Sequence, residues 1–221
     1  MTDFVLRPAG DAAIVVEFEP RLDPIVNARA VGLAQSIRHT APAGLRDVVV
    51  GYHSVTAYYD PLAVDADDLL TWLGLEARRS RPAGSGEVRT VTVPVLYGGE
   101  WGPDLRAVAE FAGCDETDVV RLHASRIYRV YMLGFVPGFA YMAEVDAKIA
   151  APRRQAPRVA VPAGSIGIAG PQTGVYPAST PGGWNLIGRT PLVTFDPERD
   201  EPCAFRPGDA VRFEPIERWP V

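Results

Sequence analysis

The spacing of apolar and polar positions gives the two ends of this chain different rhythms. Phe4-Val5-Leu6-Arg7 and the run from Ala12 to Phe18 read as two strands, with Pro8-Ala9-Gly10-Asp11 turning between them. Asp23 then caps a helix with Pro24 at its first position, where the missing N–H costs nothing. Val26, Ala30, Leu33 and Ile37 recur at helical spacing and define its buried face. Leu45 to Val50 and Ser54 to Tyr59 make a second strand pair, closed by Asp60-Pro61. A second helix starts at Asp65, turns Leu69, Leu70, Trp72 and Leu73 inward and finds a C-terminal cap in Gly74. Strand pair, helix, strand pair, helix predicts a small sheet covered on one side by helices.

Residues 78–87, Arg78-Arg79-Ser80-Arg81-Pro82-Ala83-Gly84-Ser85-Gly86-Glu87, are charged and then small, which reads as a linker. The boundary falls between an N-terminal domain at 1–82 and a second domain at 83–221. Beyond it Thr90 to Val95 is strand-like, and two short helices follow, from Pro103-Asp104 to Gly113 and from Asp115 to about Ser125. Short β-rich pieces punctuated by Gly and Pro then run to the turn Arg206-Pro207-Gly208-Asp209 and a last strand from Ala210 to Glu214. Many short strands with such punctuation predict a barrel or sandwich.

Composition removes several classes. The net charge of −5 is spread evenly, with 8 basic against 11 acidic side chains in residues 1–82 and 14 against 16 beyond, so neither half is a basic nucleic-acid module. The longest apolar runs are five residues, far short of a membrane span of about 20. Met1-Thr2-Asp3-Phe4 shows no secretory leader, and Cys114 and Cys203 read as reduced thiols of a cytoplasmic protein. The only lysine, Lys148, follows Ala147 and so cannot belong to a Walker A loop. The glycines of Gly164-Ser165-Ile166-Gly167-Ile168-Ala169-Gly170 recur every three residues, which is not a dinucleotide fingerprint, and Ser165 is not in a nucleophile elbow. His39, His53 and His123 are far apart and predict no zinc site; His39 and His123 read as surface positions.

One stretch stands out. Residues 159–188 contain no Asp, Glu, Lys or Arg but seven glycines and four prolines, and Arg153, Arg154 and Arg158 cluster just before them. A Gly-rich surface beside forked guanidinium groups suits a carboxylate or phosphate. A barrel wall with solvated arginines at its rim fits the same composition equally well.

The order of motifs here is distinctive. Tyr131-Met132-Leu133-Gly134-Phe135-Val136-Pro137-Gly138-Phe139-Ala140-Tyr141-Met142 precedes Pro152-Arg153, Pro157-Arg158 and Val161-Pro162-Ala163-Gly164-Ser165-Ile166-Gly167. Gln172-Thr173-Gly174-Val175-Tyr176-Pro177 and Ser179-Thr180-Pro181-Gly182-Gly183-Trp184-Asn185-Leu186-Ile187-Gly188-Arg189 follow. With Gly10-Asp11-Ala12-Ala13, Tyr52-His53-Ser54-Val55, Tyr59-Asp60-Pro61 and Val93-Pro94-Val95-Leu96-Tyr97-Gly98-Gly99-Glu100, this strongly resembles the 5-oxoprolinase B subunit family, formerly labelled allophanate hydrolase subunit 1, which includes the kinase inhibitor KipI.

The resemblance implies an α+β chain, with a small N-terminal α/β sandwich domain followed by a cyclophilin-like β-barrel. It implies a large C-type partner (the allophanate hydrolase subunit 2 type) and a third, A-type partner, which together with this chain open 5-oxo-L-proline to L-glutamate with ATP. Such a chain is expected to be inactive alone. ATP, with Mg²⁺, would phosphorylate the amide oxygen and make it a leaving group, a step served by arginines and oriented N–H groups. No carboxylate pair suited to Mg²⁺ stands out, since Glu144 and Asp146 read equally as loop solvation, so the ATP site is expected on or shared with a partner.

Within that frame Arg153 and Arg158 are placed to hold the substrate carboxylate or a phosphate, or else to tie the barrel rim to neighbouring loops. Gly164, Ser165 and Gly167 offer N–H groups to an anion, or else make the turns of barrel closure. Gln172 has the donor and acceptor that read an amide edge. Tyr176 and Trp184 line the substrate or are core or interface aromatics. His53 is the one histidine inside a family motif and so the candidate acid or base. The second reading is a KipI-like protein whose barrel docks on a sensor histidine kinase. Allophanate hydrolysis is discounted, because neither a Ser-Ser-Lys amidase motif nor a biotin-carrier lysine is present.

Overall fold

Strand β1 (Val5–Pro8) pairs antiparallel with β2 (Ala13–Glu17), and β4 (Ser54–Tyr59) lies between β2 and β3 (Leu45–Val50), giving a four-stranded antiparallel sheet in the order β1-β2-β4-β3. The computed structural model describes residues 4–83 and 88–219 and divides into two units, Met1–Val88 and Arg89–Val221. In the first, helix α1 (Pro24–Thr40) begins where expected, with the Asp23 carboxylate accepting the N–H groups of Ile25 and Val26. Ala30, Leu33 and Ile37 of α1 are fully buried with Ile14, Val16, Val55 and Ala57 of the sheet. Tyr58, on the opposite side of its strand, is 43% exposed.

Helix α2 (Ala66–Arg79) runs past Gly74, which therefore is not its cap. Gly74 is buried mid-helix, where a Cβ would lie 3.4 Å from Leu6, and the helix ends at Ser80, whose N–H reaches the Glu76 carbonyl. Gly74 marks close helix–sheet approach rather than termination. Arg78 and Arg79 of the expected linker are the last turn of α2, while Gly84, Ser85, Gly86 and Glu87 lie outside the described residues.

The second unit opens with β5 (Thr90–Tyr97), α3 (Leu105–Ala112) and α4 (Glu116–Ala124). Strands β6 (Ile127–Leu133), β7 (Ala140–Ala143), β9 (Ser165–Ala169), β10 (Gln172–Val175), β12 (Asn185–Arg189) and β13 (Ala210–Pro215) join β5 in a closed seven-stranded barrel, ordered β10-β7-β6-β13-β5-β12-β9. Closure leaves no barrel edge to aggregate. Val93, Val95, Val130, Met142, Ile166, Ile168, Val175 and Val211 fill it. Two strands stay outside the barrel: β8 (Arg158–Val161) and β11 (Thr180–Gly182) form a small antiparallel sheet of their own.

His123 is not a surface residue. It follows Val119 by one turn on the inner face of α4 and is completely buried, 4.6 Å from the Phe213 ring. Its Nε2 lies 2.9 Å from Thr173 Oγ1, which donates to the Gly167 carbonyl, so the imidazole proton belongs on Nε2. Its Nδ1 then accepts the Tyr97 hydroxyl at 2.7 Å. Burial holds its pKa down at about 3, and the ring is neutral.

Candidate functional site

Strands that alternate sides give the barrel a second, outer face. On β10, Thr173 and Val175 point inward, so Gln172 and Gly174 face out, and Gly174 sits opposite Tyr141 of β7 and Gly167 of β9. This floor of small residues carries a separate aromatic cluster of Phe139, Tyr176 and Trp184, edged by the half-buried Tyr141. Phe139 meets Tyr141, Tyr176 and Trp184 edge to face at 4.8, 5.1 and 5.4 Å, the geometry that pairs ring edges with ring faces.

Close neighbours explain several glycines here. A Cβ on Gly167 would stand 2.9 Å from Trp184 Cβ, one on Gly182 2.5 Å from the Tyr176 hydroxyl, and one on Gly174 2.7 Å from the Ala140 carbonyl and 3.1 Å from Phe139. Gly164 has a positive φ of 80° at a turn where a Cβ would meet the Thr190 carbonyl. Its N–H donates to the Tyr176 carbonyl at 2.7 Å, and that of Ser165 goes to Pro162. Gly167 lies mid-ladder between β10 and β12. Gly164, Ser165 and Gly167 therefore do not form the anion cradle expected of them, because sheet and turn bonds take their N–H groups.

Beside this cluster, Arg153 is held by its neighbours. The Pro152 carbonyl accepts from Asn185 at 2.8 Å, and the Arg154 N–H donates to Gly183 at 2.8 Å. Between these anchors the Arg153 guanidinium sits 6.0 Å from the Trp184 ring centre, a cation–π distance. Arg153 makes no ion pair among the described residues. Arg158 and Arg154, by contrast, converge on Asp104, which the sequence marked only as a helix start. Arg154 Nη1 and Arg158 Nη2 donate to Asp104 Oδ1 at 2.7 and 2.8 Å. Arg158 Nη1 lies 2.8 Å from Oδ2 as an ion pair, although it is not aligned for a hydrogen bond. Oδ2 also accepts the Leu186 N–H at 2.7 Å. Asp104 precedes α3 without capping it and instead pins α3 to β12.

Burial pushes the Tyr176 hydroxyl above the usual tyrosine range. A hydrogen bond from the Trp184 backbone and the charges of Arg153 and Arg158 oppose that shift, so both arginines act on the same cluster. Tyr141 is likewise raised by burial and lowered by Arg153. Gln172 lies on the same outer face, half-buried, opposite Ala143 and Ala169. His53 belongs to the first unit, in the bend before β4, where its Nδ1 is buried without a partner and its carbonyl accepts from Phe18. Asp146 caps the turn at Lys148 and pairs with Arg126 at 2.8 Å. Among the described residues no group of three or more His, Cys, Asp or Glu side chains is arranged to hold a metal ion, and no helix is long and apolar enough to cross a membrane.

The family model for the carboxyltransferase domain, subdomain C and D, matches residues 4–205. The chain is 45% identical over 209 residues to the 5-oxoprolinase B subunit of Escherichia coli O157:H7, covering 93% of each chain. It is 39% identical to the protein of that name from Bacillus subtilis strain 168, covering 95% of this chain and 92% of the other. The chain belongs to the 5-oxoprolinase B subunit family. Among solved structures, TTHA0988 superposes with a TM-score of 0.83 at 37% identity; 97% of this chain matches 41% of that longer one. The urea carboxylase of Kluyveromyces lactis shares the fold, with a TM-score of 0.77 at 21% identity over 97% of this chain and 22% of that one.

Proposed function

We propose that this chain is the B subunit of an ATP-dependent 5-oxoprolinase, working with partners of the A and C types to convert 5-oxo-L-proline and water to L-glutamate. The observation that carries this reading is near end-to-end similarity to relatives of that name, with 93% of both chains covered at 45% identity. The outer barrel face supplies groups of the right chemistry. Arg153 presents a fork to the substrate carboxylate, and the half-buried Tyr141 near it, backed by the buried Trp184, gives the lactam ring an apolar wall. Gln172, on the same face, offers a donor and an acceptor to the lactam amide.

ATP activates the amide oxygen toward water in this reaction. We infer that this chain's part is to bind and orient 5-oxo-L-proline, with the ATP site on or shared with a partner. The test is ATP-dependent glutamate release with the chain alone, with both partners and with each partner omitted. Release only from the full mixture supports the reading. Silence in an assembled complex transfers the chain to a binding role such as kinase inhibition.

A further inference from the structure

Of the three neighbouring arginines Arg153, Arg154 and Arg158, two meet one buried carboxylate and the third does not. Asp104 is 4% exposed and takes both donating arms that reach it from Arg154 and Arg158, whereas Arg153 lies over Trp184 with no carboxylate on it among the described residues. The cluster stays cationic overall and draws anions: Arg158 turns both Nη atoms to Asp104, Arg154 gives it Nη1 alone, and Arg153 gives it nothing among the described residues. Resting on the function proposed above, we propose that Asp104 is a specificity-determining residue that withholds the Arg158 fork, and one arm of Arg154, from ligand, so that the site takes one carboxylate at Arg153 and denies the Arg158 fork to a second.

The reaction makes this distinction matter. In the net reaction water adds at the lactam carbonyl carbon, the C–N bond breaks, the nitrogen keeps its electron pair and gains a proton, the phosphoryl group taken from ATP leaves as phosphate, and the carbonyl carbon becomes a carboxylate. Substrate carries one carboxylate and product two. A site whose Arg158 fork is held by Asp104 binds the substrate without gaining that fork's grip on the carboxylate that the reaction creates, which favours product release.

The probe is glutarate, the dicarboxylate skeleton of the product, set against 5-oxo-L-proline. Both are titrated calorimetrically onto the full chain and tested as inhibitor and substrate of the assembled complex. Asp104→Asn keeps an oxygen for the Leu186 N–H and removes the charge that holds the arginines. Glutarate is expected to bind and inhibit this variant about tenfold more tightly, the scale of one charge-assisted hydrogen bond, with a smaller change in the KM for 5-oxo-L-proline. Adding Arg158→Gln should cancel that gain. A folded Asp104→Asn protein with unchanged glutarate affinity overturns the proposal.

Should that variant not fold, phenylglyoxal labelling of the wild-type chain, read by mass spectrometry, decides. Arg153 should react at least about tenfold faster than Arg158, whose ion pair shields it. Equal rates contradict the withholding role. 5-Oxo-L-proline should protect Arg153; failure of that protection, with Arg158 still unreactive, sinks the substrate assignment and leaves the role of Asp104 standing.

Discussion

Arg158 meets Asp104 as a two-nitrogen fork, with Nη2–Oδ1 and Nη1–Oδ2 both at 2.8 Å. With an aspartate side chain only 6% exposed, this contact holds the start of α3 against the strand β8 that leads into the outer sheet. Replacing Arg158 by Ala leaves the carboxylate with Arg154 and Leu186 alone. The partial exposure of Arg158 and the remaining partners keep the expected loss near about 1–3 kcal/mol of stability. Denaturant unfolding of the full chain, followed by intrinsic tryptophan fluorescence and circular dichroism, measures it.

Arg153→Ala should behave oppositely. The side chain is exposed, lies over the Trp184 ring and makes no ion pair among the described residues, so stability should change by no more than about 0.5 kcal/mol. The kcat/KM for 5-oxo-L-proline in the assembled complex should fall at least about tenfold. Arg153→Lys should restore only part of it, since an ammonium cannot fork.

The neutral, buried His123 makes the barrel acid-sensitive. Its folded pKa of about 3 lies below the ordinary 6.5, so the unfolded chain takes up the proton first as pH falls. Its contribution is complete above pH 6.5 and is lost progressively between there and about 3, with the unfolding equilibrium moving about tenfold per pH unit. His123→Gln should flatten this part of the stability–pH profile while lowering stability throughout. An unchanged slope would remove His123 as its source.

Gly167→Ala tests the glycine floor. The added Cβ would stand 2.9 Å from Trp184 Cβ, so the ring must move, at a cost of about 1–3 kcal/mol. Near-ultraviolet circular dichroism reports the displaced aromatic cluster directly. Gly170→Ala is the contrast: its Cβ would meet nothing within 4 Å, so the rings should stay put, and only its positive φ of 56° carries a cost.

Much of the fold is legible in the sequence because periodicity and caps agree with it. Asp23 before Pro24, and Val26, Ala30, Leu33 and Ile37 behind them, describe α1 as it stands. Gly74 misleads because close helix–sheet contact calls for the same residue as a helix end. His123 misleads because one polar residue in a short helix shows no sign of burial; the turn from Val119 to His123 is the available clue. The uncharged Gly-rich stretch does mark a distinct surface, but Gly167 and Gly182 answer to the side chains of Trp184 and Tyr176, and Gly164 to a tight turn, rather than to an anion. Asp104 cannot be found by spacing, since 50 residues separate it from Arg154 and 82 from Leu186.

We propose that this barrel face, through Arg153, reads the carboxylate of 5-oxo-L-proline within a three-component enzyme. The direct measurement is ATP-dependent glutamate release from the mixture of all three components, wild type beside Arg153→Ala, with formation of the complex checked by size. A robust wild-type rate and a KM raised at least about tenfold in a normally assembled variant is the predicted result. An active wild-type mixture with an unchanged KM in Arg153→Ala would contradict it.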